Sequence, residues 1–253
     1  MSDPRRSLVL LVAFLSAMGS TSPASDITPD SVLRALDGAW HPIDEGRIDI
    51  RVIVRRPGKQ DSEAELVVFV DPHDRALCEF RSGRQEGRKV LLAGRNAWLI
   101  VPGASRAIPI TDRHRLVGGV SVADVARLRF AQAFLASERP GDEAVDGVSC
   151  RVFDLRARSR ETAYASGRLW VGKVDGLARR ARLALVSGKE AKDIIFSGYA
   201  TERGVTVGRR MEFRDLLAPK SGEVTVLEIL RYEPEELDAS IFDPPRAPRR
   251  SRD

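Results

Sequence analysis

Residues 88–134 carry the clearest structural signal in this chain; they read RKVLLAGRNAWLIVPGASRAIPITDRHRLVGGVSVADVARLRFAQAF. Within them, residues 89–93 and 97–101 are short apolar runs separated by Gly-Arg-Asn, and this pattern predicts two strands joined by a turn. A Pro-Gly pair ends the second strand, and a loop follows. Ser121 can then cap a helix that carries Asp124 in its first turn. The stretch predicts a hairpin, a long loop and a helix that covers the sheet as a lid.

The remainder of the chain is rich in strand signals and poor in helical ones. Alternating or continuous apolar segments bounded by turn residues occur at 48–54, 66–70, 76–81, 148–155, 167–171, 181–186, 193–196, 205–216 and 223–232. Helical patterns are limited to residues 28–38 and to the region around 122–129. Such a sheet either closes into a barrel or curls beneath helices. We predict a mainly β (α+β) fold, a curled antiparallel sheet or half-barrel with a few helices covering its concave hydrophobic face.

The basic charge of the chain lies at its two ends. The formal net charge is +5; residues 1–24 contribute +1 and residues 244–253 contribute +3, which leaves only +1 for the body between them. Because a nucleic-acid-binding protein carries its basic patch on the folded body, we predict no nucleic-acid partner.

The N-terminal segment predicts an exported protein, and the C-terminal segment predicts a tail. An Arg-Arg pair precedes a short apolar run, and Ser-Pro-Ala at residues 22–24 matches a signal-peptidase site, so residues 1–24 read as a signal peptide. We expect the mature protein to be soluble, with a single domain over residues 25–243. The Pro- and Arg-rich residues 244–253 are typical of a disordered basic tail.

Apolar side chains on the predicted inner face can either fill a core or line a cavity, and for any one aromatic residue the first alternative stays open. The set that we predict to line a cavity is Trp98, Leu99, Val101, Leu116, Phe130, Phe134, Trp170 and Phe196. Three arginines on the loop beside the lid, Arg106, Arg113 and Arg115, form a predicted rim. They can meet a carboxylate, a phosphate or an acidic partner there, or they can simply be solvated.

Neither the cysteines nor the motifs point to chemistry. Cys78 and Cys150 lie on apolar strands, where a disulfide in an exported protein and two buried free thiols explain the pattern equally well. No nucleophile-elbow, zinc-protease, Cys-x-x-Cys or phosphate-loop motif occurs. The Asp-Pro-His-Asp cluster at residues 71–74 lacks a further metal-ligating partner. We predict no enzyme, no cofactor and no metal.

Several segments resemble a known family. They comprise residues 94–103, Arg106, Ile108, Ile110, 115–118, 121–130, 145–152, 164–171 and 232–242, and together they extend over most of the mature chain, from about Arg51 to Phe242. The family is that of the outer-membrane lipoprotein-sorting proteins, in the LolA/LolB-like superfamily of periplasmic lipoprotein carriers, and the resemblance is to its broad, mostly uncharacterised branch. It implies a LolA-like half-barrel with a lidded hydrophobic cavity, a periplasmic location and the handling of acyl chains without enzymatic activity.

Three functional hypotheses follow. The first is a periplasmic carrier or chaperone for lipids or lipoprotein acyl chains, monomeric and with an inner-membrane transporter as a candidate partner. The second is a non-enzymatic cell-envelope module that binds a membrane transport complex through its strand edges, for which a filled cavity is expected. The third is a hydrolase that uses paired carboxylates without a sequence motif. An apolar pocket without convergent titratable groups favours the first over the third.

Overall fold

An antiparallel sheet of thirteen strands runs through the computed structural model. The structure describes residues 28–104, 106–111, 114–122, 124, 129–218 and 222–243. The predicted signal peptide, the basic tail, Arg113 and most of the predicted lid helix lie outside these residues.

The strands are bounded as follows: β1 (Gly46–Arg55), β2 (Ser62–Asp71), β3 (Arg75–Phe80), β4 (Lys89–Ala93), β5 (Asn96–Ile100), β6 (Ile108–Ile110), β7 (Arg115–Val117), β8 (Val120–Ser121), β9 (Phe134–Val145), β10 (Val148–Ala157), β11 (Ser166–Gly172), β12 (Ala178–Ala184), β13 (Glu190–Ser197), β14 (Ala200–Glu202), β15 (Val205–Val207), β16 (Arg210–Asp215) and β17 (Val224–Pro234). The helices whose bounds lie within the described ranges are α1 (Pro29–Trp40), α2 (Phe130–Ala133) and the short 3-10 helices Gly83–Gln85 and Ala239–Phe242.

The sheet consists of two antiparallel meanders joined by one long-range strand pairing. Its order is β6-β5-β4-β3-β2-β1-β17-β16-β13-β12-β11-β10-β9, and β14–β15 and β7–β8 form separate hairpins. The last strand, β17, pairs along its whole length with β1 and so joins the two halves of the chain. Strands β6 and β9 form the edges, so the described sheet curls without closing. The predicted curled antiparallel sheet is confirmed.

Strand β1 shows how the sequence separates the two faces of the sheet. Its inward side chains belong to the largest hydrophobic core; they are Ile48, Ile50, Val52 and Val54. Its outward side chains are charged except for the buried Ile53, and Asp49 accepts hydrogen bonds from Arg47 at 2.7 Å and from Arg231 of β17 at 3.0 Å. Because side chains alternate along a strand, this period-two sequence makes one face apolar and the other wet.

Helix α1 covers one end of the apolar face. Thr28 caps it, since its side chain accepts a hydrogen bond from Ser31 N–H at 3.2 Å, and proline occupies the first turn. The residues that it buries are Val32, Leu33, Leu36, Ala39 and Trp40. This i, i+4, i+7 spacing forms one stripe, and each fully buried leucine contributes about 2 kcal/mol.

Two smaller hydrophobic clusters lie on the outer face of the sheet, and they correct two predictions. Trp98 packs beside Leu77, Leu91 and Phe242, so the C-terminal 3-10 helix covers this part of the outer face. Trp170 belongs to a second outer cluster with Val145, Cys150 and Val152. Their neighbours along the strands, including Leu99 and Leu169, point the other way into the large core. The predicted inward orientation of both tryptophans is therefore wrong.

Candidate functional site

The candidate site is a cavity, here called the main cavity, between the inner face of the sheet and helices α1 and α2. The empty space between its walls is about 1090 Å³, part of it open to solvent. Its apolar lining consists of Leu36, Trp40, Ile48, Ile50, Val68, Val70, Ala76, Leu92, Phe130, Phe196, Met211, Leu227 and Ile229. Residues with polar side chains, Asp37, His41, Asp71, Asp74, Arg75, Asp124, Arg129 and Tyr232, complete the wall. An apolar cavity with a few polar groups is the usual form of a small-molecule site.

Aromatic rings form the wall beneath the helices. The ring centroid of Phe196 lies 5.5 Å from that of Trp40 and 6.2 Å from that of Phe130, and Phe130 lies 5.8 Å from Phe134. Trp40 donates a hydrogen bond to the Tyr199 hydroxyl at 3.3 Å, which satisfies its indole N–H. The cluster fixes α1 and α2 to the sheet through tilted and edge-to-face ring contacts.

Asp37 joins the two helices. Its carboxylate accepts hydrogen bonds from the backbone N–H groups of Phe130 at 2.7 Å and Ala131 at 2.8 Å. Burial raises the pKa of Asp37, and the two amides and the charge of Arg129 oppose that rise only in part. A carboxylate in α1 thus holds the start of α2 over the cavity.

A buried polar network fastens the segment that precedes α2. Asp124 accepts hydrogen bonds from Ser121 N–H and its hydroxyl, both at 2.8 Å, and from Tyr164 at 2.6 Å. Lys192 of β13 lies 3.2 Å from Asp124 and also donates to the carbonyl of Gly119. Burial, followed by the charge of Asp124, raises the pKa of Tyr164. The network ties the covering segment to the sheet.

The opposite side of the cavity mouth is organised by the turn between β2 and β3. Asp71 accepts hydrogen bonds from the backbone N–H groups of His73 and Arg75, both at 3.0 Å, and from Arg75 Nε at 2.7 Å. Burial by itself raises the pKa of Asp71, but these donors outweigh it and the pKa lies below its usual value. In the described part of the chain, no group of three or more His, Cys, Asp or Glu side chains could hold a metal ion.

The structure brings together only part of the predicted site. Phe130 and Phe196 line the main cavity, while Phe134 and Leu116 lie in the same core, with Leu99 packed against it. Val101 is half-buried after β5 and does not line the main cavity.

The predicted arginine rim is replaced by other charged groups. Arg106 is exposed, Arg115 is paired with Asp215, and neither borders the main cavity; Arg113 lies outside the described residues. The charged residues at the mouth are instead Asp37, Asp71, Asp74, Asp124, Arg75 and Arg129. Sequence reasoning missed them because a charged residue beside a turn looks solvated until the fold closes around it.

The cysteines are free thiols, and both are buried. Cys78 belongs to the inner core and Cys150 to an outer cluster, so they lie on different faces of the sheet. Of the two alternatives that the sequence left open, the structure has the free thiols.

Together these features define a class: a curled antiparallel half-barrel whose concave face holds a helix-covered hydrophobic cavity. Solved structures share its fold. A LolA superfamily protein from Nitrosomonas europaea superposes with a TM-score of 0.75 at 24% identity, over 85% of this chain and 97% of the other. A DUF1329 family protein from Desulfovibrio piger gives 0.69 at 20% identity, over 85% and 95%. A putative outer membrane lipoprotein-sorting protein domain from Vibrio parahaemolyticus gives 0.67 at 14% identity, over 85% and 96%.

These likenesses establish the LolA-like fold that the sequence predicted. A family model described as an uncharacterized protein matches residues 72–246, and the chain belongs to that family. No curated protein matches the chain. None of the helices in the described ranges has both the length and the apolar character needed to span a bilayer.

Proposed function

We propose that this protein is a periplasmic carrier that binds the acyl chains of lipoproteins or other lipids in the main cavity. The observation that carries the proposal is the cavity itself, which lies beneath α1 and α2 and has a predominantly aliphatic and aromatic lining. Each methylene of a bound chain contributes roughly 0.8 kcal/mol on burial. Such a cavity therefore binds lipid without specific polar contacts.

The charged groups of the cavity support a role in binding rather than in chemistry. Asp37 holds backbone amides, Asp71 holds Arg75, and Asp124 holds Ser121, Tyr164 and Lys192. Each of these carboxylates is thus engaged in keeping the fold around the cavity. A hydrolase needs a carboxylate or nucleophile directed at a substrate, so these engagements favour the carrier over the hydrolase.

The unfilled cavity also favours the carrier over a module that only binds a membrane transport complex. An interaction module needs its sheet as a surface and has no use for empty space behind it, whereas a carrier requires that space. An inner-membrane transporter that loads or unloads the cargo, and a monomeric state, remain parts of the carrier proposal.

The test is lipid binding by the mature protein. We expect native mass spectrometry of protein purified from an envelope fraction to show bound lipid, and added palmitate to bind after delipidation. Met211→Gln places an amide without a partner in the cavity and should weaken palmitate binding about ten-fold. The matched control Val148→Gln, at an exposed position, should leave it unchanged. A wild-type protein that neither carries lipid nor binds palmitate would overturn the proposal.

A further inference from the structure

Two further cavities continue from the main cavity along the inner face of the sheet. The next one, the middle cavity, has an empty volume of about 280 Å³ and shares Ile50, Val68 and Leu227 with the main cavity. The third, the basic-rimmed cavity, has about 1170 Å³, part of it open to solvent, and shares Val117 with the middle cavity.

Strand β1 gives the three cavities a common direction. Ile48 and Ile50 line the main cavity, Ile50 also lines the middle cavity, and Val54 lines the basic-rimmed cavity. These are inward-facing positions of one strand, and Ile48 to Val54 spans roughly 20 Å at the usual rise per residue. The cavities therefore follow one another in a row, from the β2–β3 turn to the β1–β2 turn.

Strand β7 narrows the row at its centre. Leu116 is buried and lines the middle cavity together with Val117. The side-chain amide of Gln85, beside the basic-rimmed cavity, donates a hydrogen bond to the carbonyl of Leu116. The Leu116 side chain therefore lies at the smallest of the three cavities.

The two ends of the row differ in charge. At the main cavity Asp124 is buried and paired with Lys192, which leaves three aspartates, Asp37, Asp71 and Asp74, against two arginines, an excess of one negative charge. The basic-rimmed cavity carries Arg56, Lys59 and Arg84 against Glu63. Arg56 is engaged with Glu223 at 2.6 Å, whereas Lys59 and Arg84 are exposed and have no ion-pair partner within the described ranges. An anionic group is repelled at the first end and attracted at the second.

We propose that the three cavities form one channel for a single long acyl chain with an anionic headgroup, and that this headgroup lies at the rim that carries Lys59 and Arg84. The proposal rests on the proposed function and adds to it the class of lipid and its orientation. The acyl chain extends from the basic-rimmed cavity past Leu116 into the main cavity. A free fatty acid and an acidic lysophospholipid share this chemistry.

The first experiment separates the contribution of the anionic headgroup to binding from that of the acyl chain. Binding of palmitate and of its neutral analogue hexadecanol is measured on wild type and on Lys59→Glu/Arg84→Glu, with Lys189→Glu/Arg160→Glu as a control of equal charge change at exposed positions that line none of the three cavities. We expect the rim variant to bind palmitate roughly five-fold more weakly, to lose the salt dependence of that binding, and to bind hexadecanol as wild type does. The control should match wild type for both ligands.

The second experiment tests the passage. Leu116→Trp should weaken palmitate binding while leaving octanoate, which is short enough to stay in the basic-rimmed cavity, unchanged; thermal unfolding checks that the variant is folded. Comparing palmitate with palmitoyl lysophosphatidylglycerol then distinguishes a free fatty acid from an acidic lysophospholipid as the anionic ligand.

The outcomes separate the two proposals. If wild type binds neither palmitate nor hexadecanol, the carrier function fails. If it binds both, but the rim variant behaves as the control does, the carrier function stands and the channel with its basic end is refuted. The rim substitutions lie at exposed positions, so this arm is decisive even if Leu116→Trp does not fold.

Discussion

The side chains of Asp124 and Lys192 form a buried ion pair, with 3.2 Å between the carboxylate and the ammonium group. Both residues are less than a tenth exposed. Lys192→Met removes the positive partner and leaves a buried carboxylate, so we expect the free energy of unfolding to fall by about 3 kcal/mol. Urea denaturation of wild type and variant measures the difference.

A double variant and a surface control sharpen this result. The loss of unfolding free energy in Asp124→Asn/Lys192→Met should be smaller, by at least about 1 kcal/mol, than the sum of the losses in the two single variants. The reason is that the double variant contains no unpaired buried charge. Lys189→Met, on an exposed turn, should change stability by less than about 0.5 kcal/mol. Strict additivity of the Asp124 and Lys192 substitutions would show that the two side chains do not interact.

The contact between Gly208 and Trp40 predicts the sign of two glycine substitutions. A Cβ added at Gly208 would lie 2.3 Å from the indole of Trp40, whereas one added at Gly38 in helix α1 would meet nothing within 4 Å. We expect Gly208→Ala to destabilise the protein by about 2 kcal/mol through overpacking. Gly38→Ala should stabilise it by up to about 1 kcal/mol, since alanine favours the helix. Thermal unfolding measures both variants, and we expect their melting temperatures to shift in opposite directions. Equal shifts in melting temperature would contradict the contact.

Asp37 and Asp71 predict opposite dependences of stability on pH. The folded-state pKa of Asp37 is raised above its usual 3.8, so its contribution is complete below that value and is lost as pH rises through the folded-state pKa. The folded-state pKa of Asp71 is lowered, so its contribution is present above 3.8 and is lost as pH falls. Relative to wild type, Asp37→Asn should therefore gain stability as pH rises above about 3.8, whereas Asp71→Asn should lose stability as pH rises toward about 3.8 from more acidic values. Urea midpoints of wild type and both variants, measured below and above pH 3.8, test this prediction. Differences from wild type that change with pH in the same direction for both variants would contradict the opposite pKa shifts.

The sequence predicts a strand of this fold well where at least one side of that strand is buried in the core. The alternation in β1 and the apolar run in β4 identify these strands because each has a side in the core. The sequence analysis did not predict strand β9. Eight consecutive residues of this strand, 137–144, are exposed, and they include Pro140-Gly141. It is an edge strand, and its proline and charges are what protect an edge from further pairing. The features that keep it from aggregating also hide it from periodicity.

The site was predicted less well than the fold, and the tryptophans show why. Trp98 and Trp170 are the most hydrophobic side chains of their strands, so composition favours an inward orientation. The structure places them on the outer face, where the C-terminal 3-10 helix and neighbouring strands cover them. A sheet with small clusters on its second face breaks the rule that one face is apolar and the other polar. The orientation of Trp98 depends on the position of the C-terminal 3-10 helix, and that of Trp170 depends on a cluster built from neighbouring strands. No local sequence pattern encodes either arrangement.

These orientations make a direct prediction for ligand binding. The protein contains three tryptophans, and of these Trp40 lines the main cavity while Trp98 and Trp170 lie outside it. A bromine-labelled fatty acid should therefore quench the fluorescence of Trp40 alone. We expect Trp98→Phe/Trp170→Phe to retain the quenching and Trp40→Phe to abolish it, as measured by titration at fixed protein concentration. Quenching that persists in Trp40→Phe would place the ligand elsewhere.

The two thiols predict a protein that resists alkylation and forms no internal disulfide. Burial raises the pKa of Cys78 to about 12 and also raises that of Cys150. Because the thiolate is the reactive form, iodoacetamide should modify neither residue in the folded protein and both in urea. Oxidised glutathione should not link them, since Cys78 lies in the inner core and Cys150 in an outer cluster and a disulfide requires their Cβ atoms to be about 4 Å apart. Mass spectrometry under native and denaturing conditions measures both. A native-state loss of two hydrogens, with no urea present, would show that the two strands come together in solution.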